Sequence, residues 1–222
     1  MHFDVLACDY DGTLATDGRV APETVAALAR VRGRGCRVVL VTGRQLDDLQ
    51  WVGPSLDSFD HVVAENGALL FDPGRATVEL LAAPPPPAFL RALERAGVPF
   101  SVGRAIVATV RPHDVPVCEA IRALGLDLVP IFNKESVMVL PRGVTKGTGL
   151  RAALARLGLA REGTVAVGDA ENDAELFAES AVAVAVANAV PALAAQARLV
   201  TAEPNGAGVR ELVDRLLRGD LR

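Results

Sequence analysis

The amino-acid sequence predicts an α/β fold: a parallel sheet with helices on both faces, interrupted by a smaller inserted α+β unit. Continuous apolar runs of strand length alternate with amphipathic runs of helical length, the pattern of a sheet buried on both sides. That alternation stops at the proline run Pro84-Pro85-Pro86-Pro87 and resumes after Pro141-Arg142-Gly143. Between the two points, short strand runs and two helical stretches read as a small antiparallel unit. The expected organisation is a core of residues 1–83 and 143–222, with residues 84–142 inserted into it.

Each element follows from its residues. "FDVLAC" is a buried strand, and "APETVAALARVRGRG" an amphipathic helix with Pro22 in its first turn and glycines near its end,. "CRVVLV" is a second strand that ends at Thr42-Gly43-Arg44, before the helical "QLDDLQWV". "FDHVVAENGA" is a third, and "ALLFDPGRATVELL" a hairpin turning at Asp72-Pro73-Gly74,. The insertion reads as helix ("AFLRALERAG"), two strands, helix ("DVPVCEAIRALG"), then "LDLVPIF" and "SVMVL" around a turn at Asn133-Lys134-Glu135. The core resumes with the helix "KGTGLRAALARLG", the strand "TVAVGD", the helix "AENDAELFAES", "AVAVAV", "PALAAQA", "RLVT" and a last helix "GVRELVDRLLR".

Composition narrows the class. Half of the 222 residues are hydrophobic and the formal charge is −4, which suits a packed globular protein and argues against a nucleic-acid surface. The longest Ala/Val tract, "AVAVAVANAV", is about half of the roughly 20 residues needed to cross a bilayer. Asp4 interrupts the opening apolar run, so a signal peptide is not expected,. Three cysteines without metal-like spacing leave an odd thiol and point to a reducing, cytoplasmic compartment,.

"LACDYDGTLATDG" poses a chemical problem. Asp9 and Asp11 stand at the mouth of an apolar strand, where two carboxylates repel each other and lose hydration,. In an open parallel sheet the reactive groups lie beyond the carboxyl ends of the strands. Other strand ends carry Thr42 and Asp169, with Asp173 four residues on, and Lys146 opens the helix after the insertion. A hard divalent cation such as Mg²⁺ would make the carboxylates tolerable. Singly, each residue also has a bland reading: Asp-Gly is a common turn, Thr42 can end a strand, and Asp169 can cap a helix. The cationic Lys146 sits at the electrostatically wrong end of its helix. Asn66-Gly67 reads equally as a site loop or a tight turn.

Taken together, "DYDGTL", "VTGR", "KGTGL" and "VGDAEND" resemble, in order, the four motifs of the haloacid dehalogenase-like hydrolase superfamily. The insertion looks like the type-IIB cap of Cof-like, sucrose-phosphate and archaeal phosphoglycolate phosphatases. The resemblance implies a Rossmann-like core and Mg²⁺-dependent hydrolysis of a small phosphorylated metabolite. Asp9 would be the nucleophile and Asp11 the general acid and base. Asp9, the backbone carbonyl of Asp11, Asp169 and Asp173 would hold the metal. Thr42, Gly43 and Lys146 would hold the phosphoryl oxygens, and Asn172 would orient the loop or a phosphate oxygen. Arg104, Arg111, Asn133, Lys134 and Arg142 are cap residues available to an anionic substrate. A phosphomutase and a non-catalytic phosphate-binding module are the alternatives; sparse cap arginines and the presence of both Asp9 and Asp11 favour the hydrolase.

Overall fold

The computed structural model describes residues 3–52, 55–133 and 135–221. In chain order the strands are β1 (Val5–Cys8), β2 (Ala15–Thr16), β3 (Arg19–Val20), β4 (Arg37–Val41), β5 (His61–Ala64), β6 (Leu69–Asp72), β7 (Thr77–Leu80), β8 (Ser101–Val102), β9 (Val107–Val110), β10 (Leu128–Asn133), β11 (Ser136–Pro141), β12 (Thr164–Gly168), β13 (Val182–Ala185) and β14 (Leu199–Val200). The helices are α1 (Pro22–Arg32), α2 (Leu46–Val52), α3 (Pro87–Arg95), α4 (Asp114–Ala123), α5 (Lys146–Leu157), α6 (Ala174–Ala178), α7 (Pro191–Ala194) and α8 (Asn205–Arg218).

The main sheet runs β14-β13-β12-β1-β4-β5-β6-β7. From β14 to β5 neighbouring strands are parallel, and β6 and β7 add an antiparallel tail. Side chains alternate across the sheet as the pleat requires. Leu6, Cys8, Val38, Leu40 and Val62 pack on one face with Leu28 of α1 and Leu212 of α8. Val5, Ala7, Val39, Val41 and Val63 pack on the other with Leu150 and Leu154 of α5. Both faces are buried, so the central strands carry no polar alternation. Each such aliphatic side chain stabilises the fold by roughly 1.5–3 kcal/mol.

Residues between β7 and α5 build a second, four-stranded antiparallel sheet in the order β10-β11-β9-β8. Its helices α3 and α4 pack on one face through Phe89, Leu93 and Val117, against Val107 and Val139. The opposite face turns Met138 and Leu140 toward the core, against Ala68, Ala105 and Ile106. The proline run enters this unit: Pro87 opens α3 with Pro86 as its N-cap, a position where the missing N–H costs nothing. Lys134, in the expected turn, lies outside the described residues. The ribbon β2–β3 was not expected as strands. Asp17 and Gly18, at φ 50° and 75°, form its tight turn, the backbone that Asp-Gly favours.

Cys8 and Cys36 are buried, and Cys118 is partly accessible. Burial pushes the Cys36 thiol up to about 11 and the Cys8 thiol higher still. Thiolate therefore appears at Cys36 only as pH approaches that value, and at pH 8 neither buried thiol is nucleophilic. An aromatic disulfide reagent should label one thiol in the native chain and three after unfolding. Labelling of two or more native thiols would contradict this packing.

Candidate active site

Three adjacent parallel strands in the middle of the sheet, β12, β1 and β4, end on the same side. Their carboxyl ends deliver Asp169, Asp9 and Thr42, all nearly inaccessible to solvent. Asp173 arrives on the single helical turn Glu171–Asp173 after β12. Its Oδ2 accepts from the N–H groups of Asp169 at 2.9 Å and Ala170 at 3.0 Å, so the loop is closed on itself. Thr13 donates its hydroxyl to Asp169 Oδ1 at 3.1 Å. Gly12 makes that approach possible: it has φ +82°, and a Cβ there would lie 2.4 Å from Asp169 Oδ2.

Lys146 lies at the centre, with about 1% of its surface exposed. Its Nζ donates to Asp9 Oδ1 at 2.5 Å and to Asp173 Oδ1 at 2.6 Å. This answers why a cation opens a helix: its ammonium serves the carboxylates and not the helix dipole. Glycines bring the helix close enough, since a Cβ at Gly149 would lie 2.4 Å from Val63 Cγ1.

Asp9, Asp169 and Asp173 each place an oxygen within 4.8 Å of the others. Three buried carboxylates outnumber the single ammonium. Burial, then the Asp173 charge, pushes the Asp9 carboxyl above its usual range, with Lys146 opposing. Burial works against the Lys146 ammonium, but Asp173 and Asp9 outweigh it and raise its pKa. The surplus of hard, anionic oxygen donors fits a small divalent cation.

The side chain of Asp11 stands outside this cluster. It is 44% exposed and accepts two bonds from Arg44, Nε to Oδ2 and Nη2 to Oδ1, both 2.7 Å. The Arg44 guanidinium also lies 5.3 Å from the centroid of the Tyr10 ring. Tyr10 itself is buried, and its hydroxyl donates to the Gly18 carbonyl at 3.1 Å. Neither residue had a sequence-assigned role, although Arg44 stands in the quoted "VTGR". Thr42 Oγ1 accepts from the Arg44 N–H at 3.1 Å. Met138 reaches from the second sheet to Gly43, where a Cβ would lie 3.0 Å from its sulfur.

Asn172 donates Nδ2 to Asn66 Oδ1 at 3.0 Å, while its own Oδ1 is buried without a partner. Asn66 and Gly67 are a left-handed turn at φ 55° and 108°, and Asn66 meets Asn172 in the turn that carries Asp173. Of the cap candidates, Arg111 stacks on Phe132 and Arg142 pairs with Asp127. Arg104 lies 3.8 Å from Asp47. Asn133 Oδ1 is buried without a partner, and Lys134 lies outside the described residues.

Comparisons with known proteins fit this geometry. The model of the haloacid dehalogenase-like hydrolases matches residues 6–81 and 126–213. A phosphoglycolate phosphatase of Pyrobaculum neutrophilum is 33% identical, with 97% of this chain and 96% of that protein covered. Phosphoglycolate phosphatase 2 of Saccharolobus solfataricus is 30% identical, with 97% and 93% covered. Among solved structures, a haloacid dehalogenase-like hydrolase from Bacteroides thetaiotaomicron superposes with a TM-score of 0.82 at 18% identity, covering 96% of this chain and 99% of that one. A subclass IIB sugar phosphatase superposes at 0.77 with 21% identity, covering 96% and 98%. The motif residues gathered at the carboxyl ends of the central strands and the near full-length matches lead to one conclusion: the chain belongs to the haloacid dehalogenase-like hydrolases.

Proposed function

We propose that the protein is a Mg²⁺-dependent phosphatase of small phosphorylated metabolites that works through an aspartyl-phosphate on Asp9. The observation that carries this reading is the cluster of Asp9, Asp169 and Asp173 around one buried ammonium at the carboxyl ends of parallel strands. Asp9, Asp169, Asp173 and the backbone carbonyl of Asp11 would hold Mg²⁺. When bound, the ion supplies charge neutralisation for the nucleophile and the phosphoryl oxygens.

The steps belong to the side chains. An Asp9 oxygen attacks phosphorus, the bond from phosphorus to the ester oxygen breaks, and Asp11 gives that oxygen its proton. A water then attacks the phosphoryl group, Asp11 takes the water's proton, and the Asp9–phosphorus bond breaks to release phosphate. Thr42, the Gly43 N–H and Lys146 hold the phosphoryl oxygens, where transition-state charge collects. Arg44 orients the Asp11 carboxylate through its two bonds. Asn172 ties the metal loop to Asn66.

We assign residues 84–142 as a cap that covers this site and reads the leaving group. Arg111 and Arg142 are engaged by Phe132 and Asp127, which favours the hydrolase over a mutase needing a second phosphate site. Three unpaired cysteines support a cytoplasmic setting,. The relatives named phosphoglycolate phosphatases make 2-phosphoglycolate the first ester to assay in a metabolite panel. EDTA should silence turnover, Mg²⁺ should restore it, and Ca²⁺ should serve poorly because of its longer, looser coordination. Full activity in metal-stripped protein would sink the proposal.

A further inference from the structure

Glu65 is a buried carboxylate that the chemistry above leaves unused. It is 1% exposed, and what it meets is backbone of the loop between β8 and β9. Its Oε1 accepts the N–H of Arg104 at 2.9 Å, and its Oε2 accepts those of Ala105 at 2.7 Å and Ile106 at 3.0 Å. Three successive N–H groups converging on one anion form a nest that charge strengthens. Gly103 permits it: a Cβ there would lie 2.6 Å from Glu65 Oε1 and 2.7 Å from Ile106 Cγ2.

The backbone around Glu65 is held in an uncommon state. Glu65, Asn66 and Gly67 follow one another at φ 52°, 55° and 108°, left-handed values that non-glycine residues adopt rarely. This turn touches the reactive machinery twice. Asn66 receives the Asn172 amide, next to Asp173. Gly67 lies where a Cβ would be 1.9 Å from the carbonyl oxygen of Thr145, the residue before Lys146. Both chain crossings between the sheets run beside the clasp, since Ala82 and Val144 pack against Ala68, Ala105 and Ile106. Glu65 thus adds a non-covalent attachment next to two covalent ones, and the β10–β11 hairpin reaches out to the turn bearing Asp173.

We propose that Glu65 is a positioning residue: it seats the loop between β8 and β9 on the core, fixing the pivot of the cap and its register over the site. The inference rests on the phosphatase reading for its kinetic consequence, but the clasp itself can be tested without it. Glu65→Gln keeps the volume but replaces one acceptor oxygen with an N–H₂ group that faces N–H donors. Gly103→Ala disturbs the same contact from the cap side.

The test combines hydrogen exchange with kinetics on the full chain. In both variants the amides of residues 104–106 should exchange at least about tenfold faster, because buried donors have lost their acceptor. Amides of β1, β4 and β12 should be unchanged. Competitive inhibition by inorganic phosphate should stay within about twofold, while kcat/KM ratios across a panel of alkyl phosphates compress by about tenfold as the cap loses its register. Unchanged exchange at 104–106 in both variants overturns the clasp. Faster exchange with every kcat/KM and ratio unaltered overturns the positioning role. A proportional loss on all substrates, with ratios intact, marks mere destabilisation and also overturns it. If the unaltered chain turns over no phosphate ester, the phosphatase reading fails, while exchange at 104–106 still decides the clasp.

Discussion

Asp9→Asn should lower kcat by about four orders of magnitude or more, because the variant keeps the shape of the nucleophile and loses its reactivity. The fold should tolerate the change. Asp9 stands among Asp169 and Asp173 with one ammonium to share, and its charged form is disfavoured first by burial and then by Asp173. Neutralising it removes repulsion, so in metal-free buffer the variant should melt no lower than the parent. The increase in Tm on adding Mg²⁺ should shrink, because one anionic donor is gone. Steady-state turnover of an aryl phosphate and thermal melts with and without Mg²⁺ check both halves. Residual turnover above roughly a hundredth of the parent would rule out covalent catalysis by Asp9.

Lys146→Met carries the second large effect, on stability and activity together. The side chain is buried and bridges Asp9 and Asp173. Methionine approximates its length and removes the charge, leaving buried carboxylates without their cation. Breaking a buried pair in this way costs about 3–5 kcal/mol. In urea titrations with EDTA the variant should show a loss of that size, and Mg²⁺ should recover much of it by neutralising the same oxygens. Turnover should fall about a hundredfold or more if Lys146 also holds the phosphoryl oxygens as proposed. An equal loss of stability with and without Mg²⁺ would mean that packing, not charge, gives Lys146 its structural role.

Much of this site was legible because its chemistry demands fixed residue types at strand ends. Asp9, Thr42, Asp169 and Asp173 could be placed from apolar runs that stop at a polar residue, and those runs are buried on both faces as read. Lys146 was legible as an anomaly, a cation at the wrong end of a helix. Glu65 was not legible. Its partners are the backbone N–H groups of residues 104–106, which every residue but proline possesses, so no side-chain pattern announces them. Arg44 stood in a recognised motif, yet its pairing with Asp11 joins loops whose approach only the packed sheet defines. The β2–β3 ribbon is too short for an alternating pattern, and its Asp-Gly turn was its one visible sign.

The pairing of β1 with β12 bears on how the protein is made. The contact between Thr13 and Asp169 spans 156 positions, and β1 takes β12 as its parallel neighbour. A ribosome adding about 5–20 residues per second needs on the order of ten to thirty seconds to cover that interval. Throughout it, β1 can pair with β4 but keeps its other edge open, a template for unwanted strand addition. Asp9 waits equally long for Asp169 and Asp173. The nascent chain therefore exposes Asp9 well before the cluster it forms with Asp169 and Asp173 can be completed, which happens only once β12 and the turn after it have emerged.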